Sequence, residues 1–208
     1  MKEPVSHGQQ GLSRKGSTLG YTSYYHSLSR IDTTGTLTTN GETFIVTGES
    51  WMDHEFSSSV LEAGQKGWDW FSIQLEDNTE LMFYRWRRED GSSDPHSSAT
   101  FIDERGRATP LRLQDFSLSE TDAWKSPATG AVYPLGWRIE VPQLQTVLEV
   151  APALNAQEMI ATSSTGIIYW EGSILVSGRA RGRAVKGRGY MELTGYAADA
   201  LGQLEVGP

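Results

Sequence analysis

The sequence predicts an all-β protein built as an antiparallel β-barrel. From about residue 20 onward, apolar residues alternate with polar ones at a period of about two residues, the period of a strand. Turn-forming pairs that contain Gly, Asn or Asp separate these runs. Signals for helices are sparse. A meander of short antiparallel strands usually closes into a barrel, because closure removes the exposed edges of the sheet.

The candidate strands follow one another at short intervals. Asn40 and Gly41, between two alternating runs, give the strongest hairpin signal because both residues tolerate positive φ. A barrel of about eight to ten strands can hold one small ligand in its interior. The predicted strands are 20–30, 34–39, 42–48, 68–76, 79–88, 98–103, 111–119, 135–141, 145–150, 167–177 and 189–197.

Asp77 and Asn78 mark a second hairpin. A two-residue turn at this point pairs Gln74 with Leu81. Pairing does not select which face lines the interior, and a slip of one residue exchanges the two faces. The same register gives the other predicted pairs: Ser72 with Phe83, Trp70 with Arg85, Ile73 with Met82, Phe71 with Tyr84 and Asp69 with Trp86.

Three segments fall outside the strand pattern. Residues 1–19 are rich in Gly, Ser, Gln and charge, which predicts an extended or mobile arm. Residues 57–64 are compatible with a short turn. Residues 155–162 could form a helix of about two turns, with Asn155 as its N-cap and Glu158 three residues later.

Composition limits the function. The net charge of -8 argues against nonspecific nucleic-acid binding, because contact with phosphates needs a basic surface. A basic cluster at Arg179, Arg181, Arg183, Lys186 and Arg188 is predicted to be a solvated hairpin loop. Cysteine is absent, which excludes disulfides and thiol chemistry. The spacing of the histidines fits no zinc site. Seven Trp, eight Tyr and six Phe favour an apolar binding cavity.

The sequence offers few signals for location. It contains no apolar run of about 18 residues, so no transmembrane segment is predicted. The first residues lack the apolar stretch of a signal peptide. The chain as written is therefore expected in the cytoplasm, unless its start has been trimmed.

The candidate catalytic residues are Asp53, His54 and Glu55, which follow Trp51 after a strand-like run. Acid–base groups beside large apolar side chains suit proton transfer to a hydrophobic substrate. If the segment stays extended, Asp53 shares a side with Trp51 and Glu55, and His54 points away. Two other interpretations remain open: a solvated turn, or a structural ion pair of Asp53 with an arginine at position 85 or 87.

Eight sequence blocks follow one another in order between about residues 20 and 197. They are Tyr24–Arg30, Thr34–Leu37, Val46–Phe56, Gly67–Leu75, Leu81–Arg85, Tyr133–Trp137, Tyr169–Gly172 and Gly189–Tyr196. Together these blocks resemble the hydroxyneurosporene synthase family, the carotenoid 1,2-hydratase and AttH-like group.

The resemblance implies two consecutive lipocalin-like β-barrel domains. The chain is then divided into a flexible arm (1–19), the terminal strands of a first domain (20–56) and a second barrel (57–208). Too few strands precede Trp51 for a closed first barrel. A missing N-terminal domain or a dimer would complete the protein.

The resemblance also implies a function. Family activities include hydration of a carbon–carbon double bond in polyene or terpenoid-like substrates and the decalin-forming Diels–Alder reactions of natural-product biosynthesis, and some relatives are labelled as secreted. A cofactor-independent lyase or isomerase is therefore expected, with hydration preferred, and a pericyclase or a carrier of hydrophobic ligands as the alternatives. Neither metal nor organic cofactor is required. Asp53 is the expected acid. The expected substrate-binding residues are Trp51, Trp68, Trp70, Gln74, Tyr84, Trp86, Trp137 and Trp170.

Overall fold

The protein is all-β, as predicted. A computed structural model describes residues 2–18, 20–57, 61–161, 163 and 166–197. Two short 3₁₀ turns, Leu113–Asp115 and Pro142–Leu144, interrupt the strands. The strands are β1 Val5–Ser6, β2 Leu12–Arg14, β3 Thr22–Thr39, β4 Glu42–Ser57, β5 Gln65–Leu75, β6 Glu80–Arg88, β7 Ser98–Ile102, β8 Ala108–Arg112, β9 Ser117–Lys125, β10 Val132–Val141, β11 Thr146–Pro152, β12 Glu158–Ala161, β13 Ile167–Ala180 and β14 Arg183–Thr194.

The strands form two antiparallel sheets. In the first, β3 pairs with β1 and β2 along one edge and with β4 along the other. The second has the order β8-β7-β6-β5-β14-β13-β11-β10-β9, and β12 adds to β13. This larger sheet curls into a half-barrel, with β8 and β9 as its outer strands.

The hairpin predicted at Asn40 and Gly41 joins β3 to β4. Both residues have positive φ, at 50° and 81°, as the tight turn requires. Near its base, β3 is regularly alternating, with Ser23, Tyr25 and Ser27 buried. Beyond about residue 32 the hairpin is exposed on both faces. Only the base of this hairpin therefore packs on the second sheet.

The inner face of the half-barrel is a filled core. Phe71 and Trp137 meet edge to face with their ring centroids 5.4 Å apart, and Trp170 is fully buried in the same cluster. Aliphatic side chains such as Ile139 and Leu148 occupy the remaining space. This cluster occupies the inner face where a ligand cavity was expected, and Trp137 and Trp170 belong to the core.

The β5–β6 hairpin differs by one residue from the predicted register. The Leu75 and Thr79 backbones pair around a three-residue loop, in which Asn78 takes φ of 61°. Gln74 consequently faces Glu80, and the other predicted pairs shift likewise. The observed pairs are Ile73 with Leu81, Ser72 with Met82, Phe71 with Phe83, Trp70 with Tyr84, Asp69 with Arg85 and Trp68 with Trp86.

The expected flexible arm packs against the rest of the protein. Val5 and His7 are buried, and β1 and β2 pair with β3. The Lys2 ammonium group lies 2.7 Å from the buried Glu80 carboxylate. Composition misled the prediction because the few anchoring residues are dispersed among Gly and Ser.

Two further predictions were wrong. Glu158–Ala161 pairs with β13 as strand β12, so the predicted helix does not form; Thr162 lies outside the described residues. A 3₁₀ turn divides the predicted strand 111–119 into the end of β8 and the start of β9. Among the described residues, no helix is long and apolar enough to cross a lipid bilayer.

Candidate active-site groove between the two sheets

A groove of about 1820 Å³ lies between the first sheet and the outer face of the half-barrel. Strand β4 supplies one wall through Trp51, Asp53 and Glu55. The facing wall comes from alternate residues of β5 and β14, because side chains two apart on a strand share a face. These are Trp68, Trp70, Ser72, Gln74, Lys186, Arg188, Tyr190 and Glu192.

Asp53 is held in the groove by three hydrogen-bond donors. Its Oδ1 accepts from the Ser27 hydroxyl and, at 2.7 Å, from the indole of Trp51. Its Oδ2 accepts from the Tyr25 hydroxyl at 3.1 Å. Burial of the carboxyl group raises the pKa of Asp53, and these donors oppose the rise. Asp53 is nevertheless exposed when its backbone and side chain are taken together. The three donors and the open side of the groove therefore favour the ionised carboxylate.

The other two candidates in this segment have different surroundings. The segment stays extended, so His54 lies on the face of the first sheet that points away from the groove. Its ring centroid is 5.0 Å from that of His26. His54 is therefore not a groove residue. Glu55 faces the groove, where its Oε1 lies 2.9 Å from Lys15 Nζ and accepts a hydrogen bond from Ser23.

Glu192, on the facing wall, is an acid whose pKa is strongly raised by its surroundings in the groove. Burial and the charge of Glu171 raise its pKa to about 7, and Asp53 and Glu55 add to the rise. Trp68 Nε1 opposes it by donating to Glu192 Oε1 at 3.2 Å. Glu192 therefore holds a proton in a substantial fraction of molecules near neutral pH.

Most of the expected substrate-binding residues line this groove. Trp70 Nε1 donates to the Tyr25 hydroxyl at 2.9 Å, which links the half-barrel to the donor set of Asp53. Tyr84 is hydrogen-bonded to Ser13, and Gln74 donates to backbone carbonyls of the first sheet. In the described part of the chain, the indole nitrogen of Trp86 is buried and has no hydrogen-bond partner.

The ion pair considered for Asp53 forms at Asp69 instead. Asp69 is fully buried on the core side of β5, and its carboxylate lies 2.7 Å from Arg85 and 3.2 Å from Arg87. Tyr196 donates to the same carboxylate at 2.8 Å. This cluster is structural, and it leaves Asp53 without a guanidinium partner among the described residues.

A buried histidine extends the network behind Asp53. His7 Nε2 lies 2.7 Å from Ser27 Oγ, and Nδ1 lies 2.9 Å from Thr100 Oγ1. Because Ser27 donates to Asp53, its oxygen accepts from Nε2–H, and Nδ1 accepts from Thr100. Burial lowers the pKa of His7 to about 3, so the ring is neutral.

Sequence reasoning missed Glu192, Tyr25 and His7. The alternation of β14 carries a signal for Glu192, because it follows Tyr190 on one face while Met191 and Leu193 occupy the other. No local signal marks His7, whose partners are distant in sequence. Among the described residues, no group of three or more His, Asp or Glu side chains is arranged to bind a metal ion.

The solved structures that resemble the chain include an AttH protein and a hydratase. A candidate AttH from Nitrosomonas europaea shares 33% identity and a TM-score of 0.86 over 95% of this chain and 59% of that one. Kievitone hydratase from Nectria haematococca shares the fold at 17% identity and a TM-score of 0.76, with the same coverage. The chain thus spans about 59% of the length of both.

The sequence comparisons agree with the resemblance seen in the motifs. No curated protein sequence matches the chain significantly. The AttH-like family model matches residues 1–196, which include both sheets and both walls of the groove. The chain therefore belongs to the AttH-like family.

Proposed function

We propose that the protein is a hydratase that adds water to a carbon–carbon double bond of a hydrophobic small molecule by acid catalysis. The observation that carries the proposal is Glu192, an acid with a pKa raised to about 7 that faces Asp53 across an indole-lined groove. Two carboxyl groups with separated pKa values can divide the roles of acid and base.

Protonated Glu192 acts as the general acid. Its proton forms a C–H bond with one alkene carbon as the π electron pair is consumed, which leaves a cation on the other carbon. Water supplies the electron pair for the new C–O bond, and the Asp53 carboxylate accepts the released proton. Solvent at the open groove returns that proton to Glu192, so the net reaction consumes one water molecule.

The aromatic walls support such a cation. Trp68 and Trp70 are half-buried, and they lie beside Glu192 on the half-barrel. The negative faces of indole rings stabilise nearby positive charge by about 0.5–2 kcal/mol. Asp53, first expected as the acid, serves better as the base because three donors stabilise its ionised form.

The longer relatives bear on the domain organisation. We propose that residues 20–56 correspond to the trailing strands of a first lipocalin-like domain and that 57–208 form the second. The two solved structures extend well beyond the matched part, which supports this division. A separate first domain or a second copy of this chain would then cover the exposed β3–β4 hairpin.

Kievitone hydratase supports hydration over the other chemistries, since its name states that reaction for a protein of the same fold. A pericyclase would need shape and hydrogen-bond donors rather than an acid. A carrier would release its ligand unchanged. These alternatives therefore predict different behaviour of the same two carboxyl variants.

The test is to incubate the protein with a panel of polyenes, terpenoids and prenylated phenols in ¹⁸O-labelled water, followed by mass spectrometry. Hydration gives a product that has gained one labelled water. Glu192→Gln should lower its formation at least about 100-fold, because general acid–base groups contribute about 10²–10⁴-fold. Asp53→Asn should lower it similarly.

Glu140→Gln, on β10 and outside the groove lining, is the matched control and should retain full activity. A rearranged product of unchanged mass that survives Glu192→Gln would indicate a pericyclase. Bound ligand recovered unchanged from every variant would indicate a carrier.

A further inference from the structure

The half-barrel wall of the groove changes from basic to acidic along strand β14. Lys186, Arg188, Tyr190 and Glu192 lie on one face and all line the groove. Successive members of this series are about 6.6–6.8 Å apart along the strand. Arg188 is therefore about 13 Å, and Lys186 about 20 Å, from the Glu192 position. The four side chains form a linear series from two cations to an acid.

Neighbouring strands add acidic and aromatic side chains at the Glu192 end only. Beside Glu192 lie Trp70 on β5 and Glu171 on β13, which make this end aromatic and acidic. Beside Arg188 lie Gln74 and Leu175, which add no charge. Gly189 keeps the strands in this alignment: a Cβ there would come within 1.9 Å of the Ser72 carbonyl oxygen.

The basic cluster of the sequence is divided by the structure. Arg181, at the β13–β14 turn, pairs with Asp77 and Glu104 outside this series. Lys186 and Arg188 are exposed to the groove, and neither has an ion pair with a carboxylate among the described residues. Their charges are therefore available to a ligand.

Four carboxylates also line the groove away from Glu192, and two of them are engaged. Glu49 is bound by Arg30 at 2.5 Å, and Glu149 is bound by Arg138 at 2.6 Å. Glu76 and Asp122 line the groove without an ion pair among the described residues, and they lower the net positive charge of this region. This lowered positive charge favours a monoanion such as a carboxylate over a dianionic phosphate.

We propose that the substrate is an elongated amphiphile whose terminal carboxylate is bound by Lys186 and Arg188. Its apolar chain runs over Tyr190, and its reacting bond lies at the Glu192 end. The substrate class is thus an unsaturated long-chain carboxylic acid. Only the position of the reacting bond rests on the proposed function; recognition of the carboxylate does not.

The test compares the binding of cis-parinaric acid, a fluorescent polyunsaturated fatty acid, with that of its methyl ester. Wild-type protein should bind the acid about tenfold more tightly than the ester, because hydrogen bonds to charged groups contribute about 1.5–3 kcal/mol. The double variant Lys186→Gln, Arg188→Gln should bind the acid about tenfold more weakly. Its affinity for the ester should change less than about twofold.

Arg183→Gln is the matched control, since Arg183 lies on the same strand but outside the groove lining. Equal affinities of wild type for acid and ester, no saturable binding of the acid, or an equal loss in Arg183→Gln would overturn the inference. Glu192→Gln should retain the preference for the acid. Failure of the hydration assay alone would therefore leave this inference standing.

Discussion

Tryptophan occurs on both faces of the half-barrel, but in two different environments. On the inner face, Trp137 and Trp170 are fully buried among aliphatic side chains. On the outer face, Trp68 and Trp70 remain half-buried along the groove. The difference teaches that a high tryptophan content does not locate a binding site. The parity of each residue along its strand decides whether its indole fills a core or lines a groove.

The largest expected effect compares these two faces. Trp137→Ala should lower the free energy of unfolding by about 3–5 kcal/mol, because it leaves a cavity in a filled core. Trp68→Ala should cost about 1–2 kcal/mol, since its side chain is already partly solvated, and should chiefly weaken ligand binding. Urea denaturation of both variants measures the contrast. Equal losses of stability would contradict the assignment of faces.

The next effect concerns His7, behind the groove. Its folded pKa of about 3 lies below its usual 6.5, so stability is present above about pH 6.5 and is lost as pH falls toward 3. Between about pH 7 and pH 4 this loss should reach about 3 kcal/mol. His7→Gln should lack it. Urea denaturation across this pH range gives the answer, and equal slopes for both proteins would refute the assignment.

Glu192 should show the opposite pH dependence. Its folded pKa of about 7 lies above the usual 4.5, so stability is fully present below about pH 4.5 and is lost as pH rises through 7. Glu192→Gln should therefore be about 1–3 kcal/mol more stable than wild type at about pH 8, after allowance for partial exposure, and nearly equal at about pH 4. A variant less stable at pH 8 would show that the carboxylate is favourably held.

The smallest effect is expected at His54. Its ring is on the outer face of β4, away from Asp53 and the groove. His54→Ala should change the free energy of unfolding by less than about 0.5–1 kcal/mol and leave turnover intact. Measured activity of this variant beside Asp53→Asn separates two adjacent residues. A large loss of activity in His54→Ala would place the chemistry elsewhere.

Much of the fold was predictable because strand alternation and turn residues are local properties. The Asn40-Gly41 hairpin is an example, as both residues have the positive φ that their types tolerate. The β5–β6 register was not predictable, because Asp77 and Asn78 suit a two-residue loop as well as the observed three-residue loop. In the observed loop only Asn78 of this pair has positive φ. The one-residue difference in loop length shifts every predicted cross-strand pair of the hairpin by one residue.

The candidate site was only partly predictable for a related reason. Alternation correctly separates Asp53 from His54 once β4 is known to be extended. Which two sheets face each other depends on contacts distant in sequence, such as those of His7 and Trp70. The partner of Asp53 across the groove could not be inferred without them. Glu192 was consequently overlooked although it lies within one of the family's motifs.

The N-terminal residues fasten the two walls together. Lys2 binds Glu80, His7 bridges Ser27 to Thr100, and Ser13 meets Tyr84. Clipping by a protease within about the first fifteen residues would therefore loosen a groove whose proposed catalytic groups are far along the chain. If the proposed function holds, preparations trimmed in this way should lose activity although their size on a gel is almost unchanged, so intact-mass checks should accompany every assay.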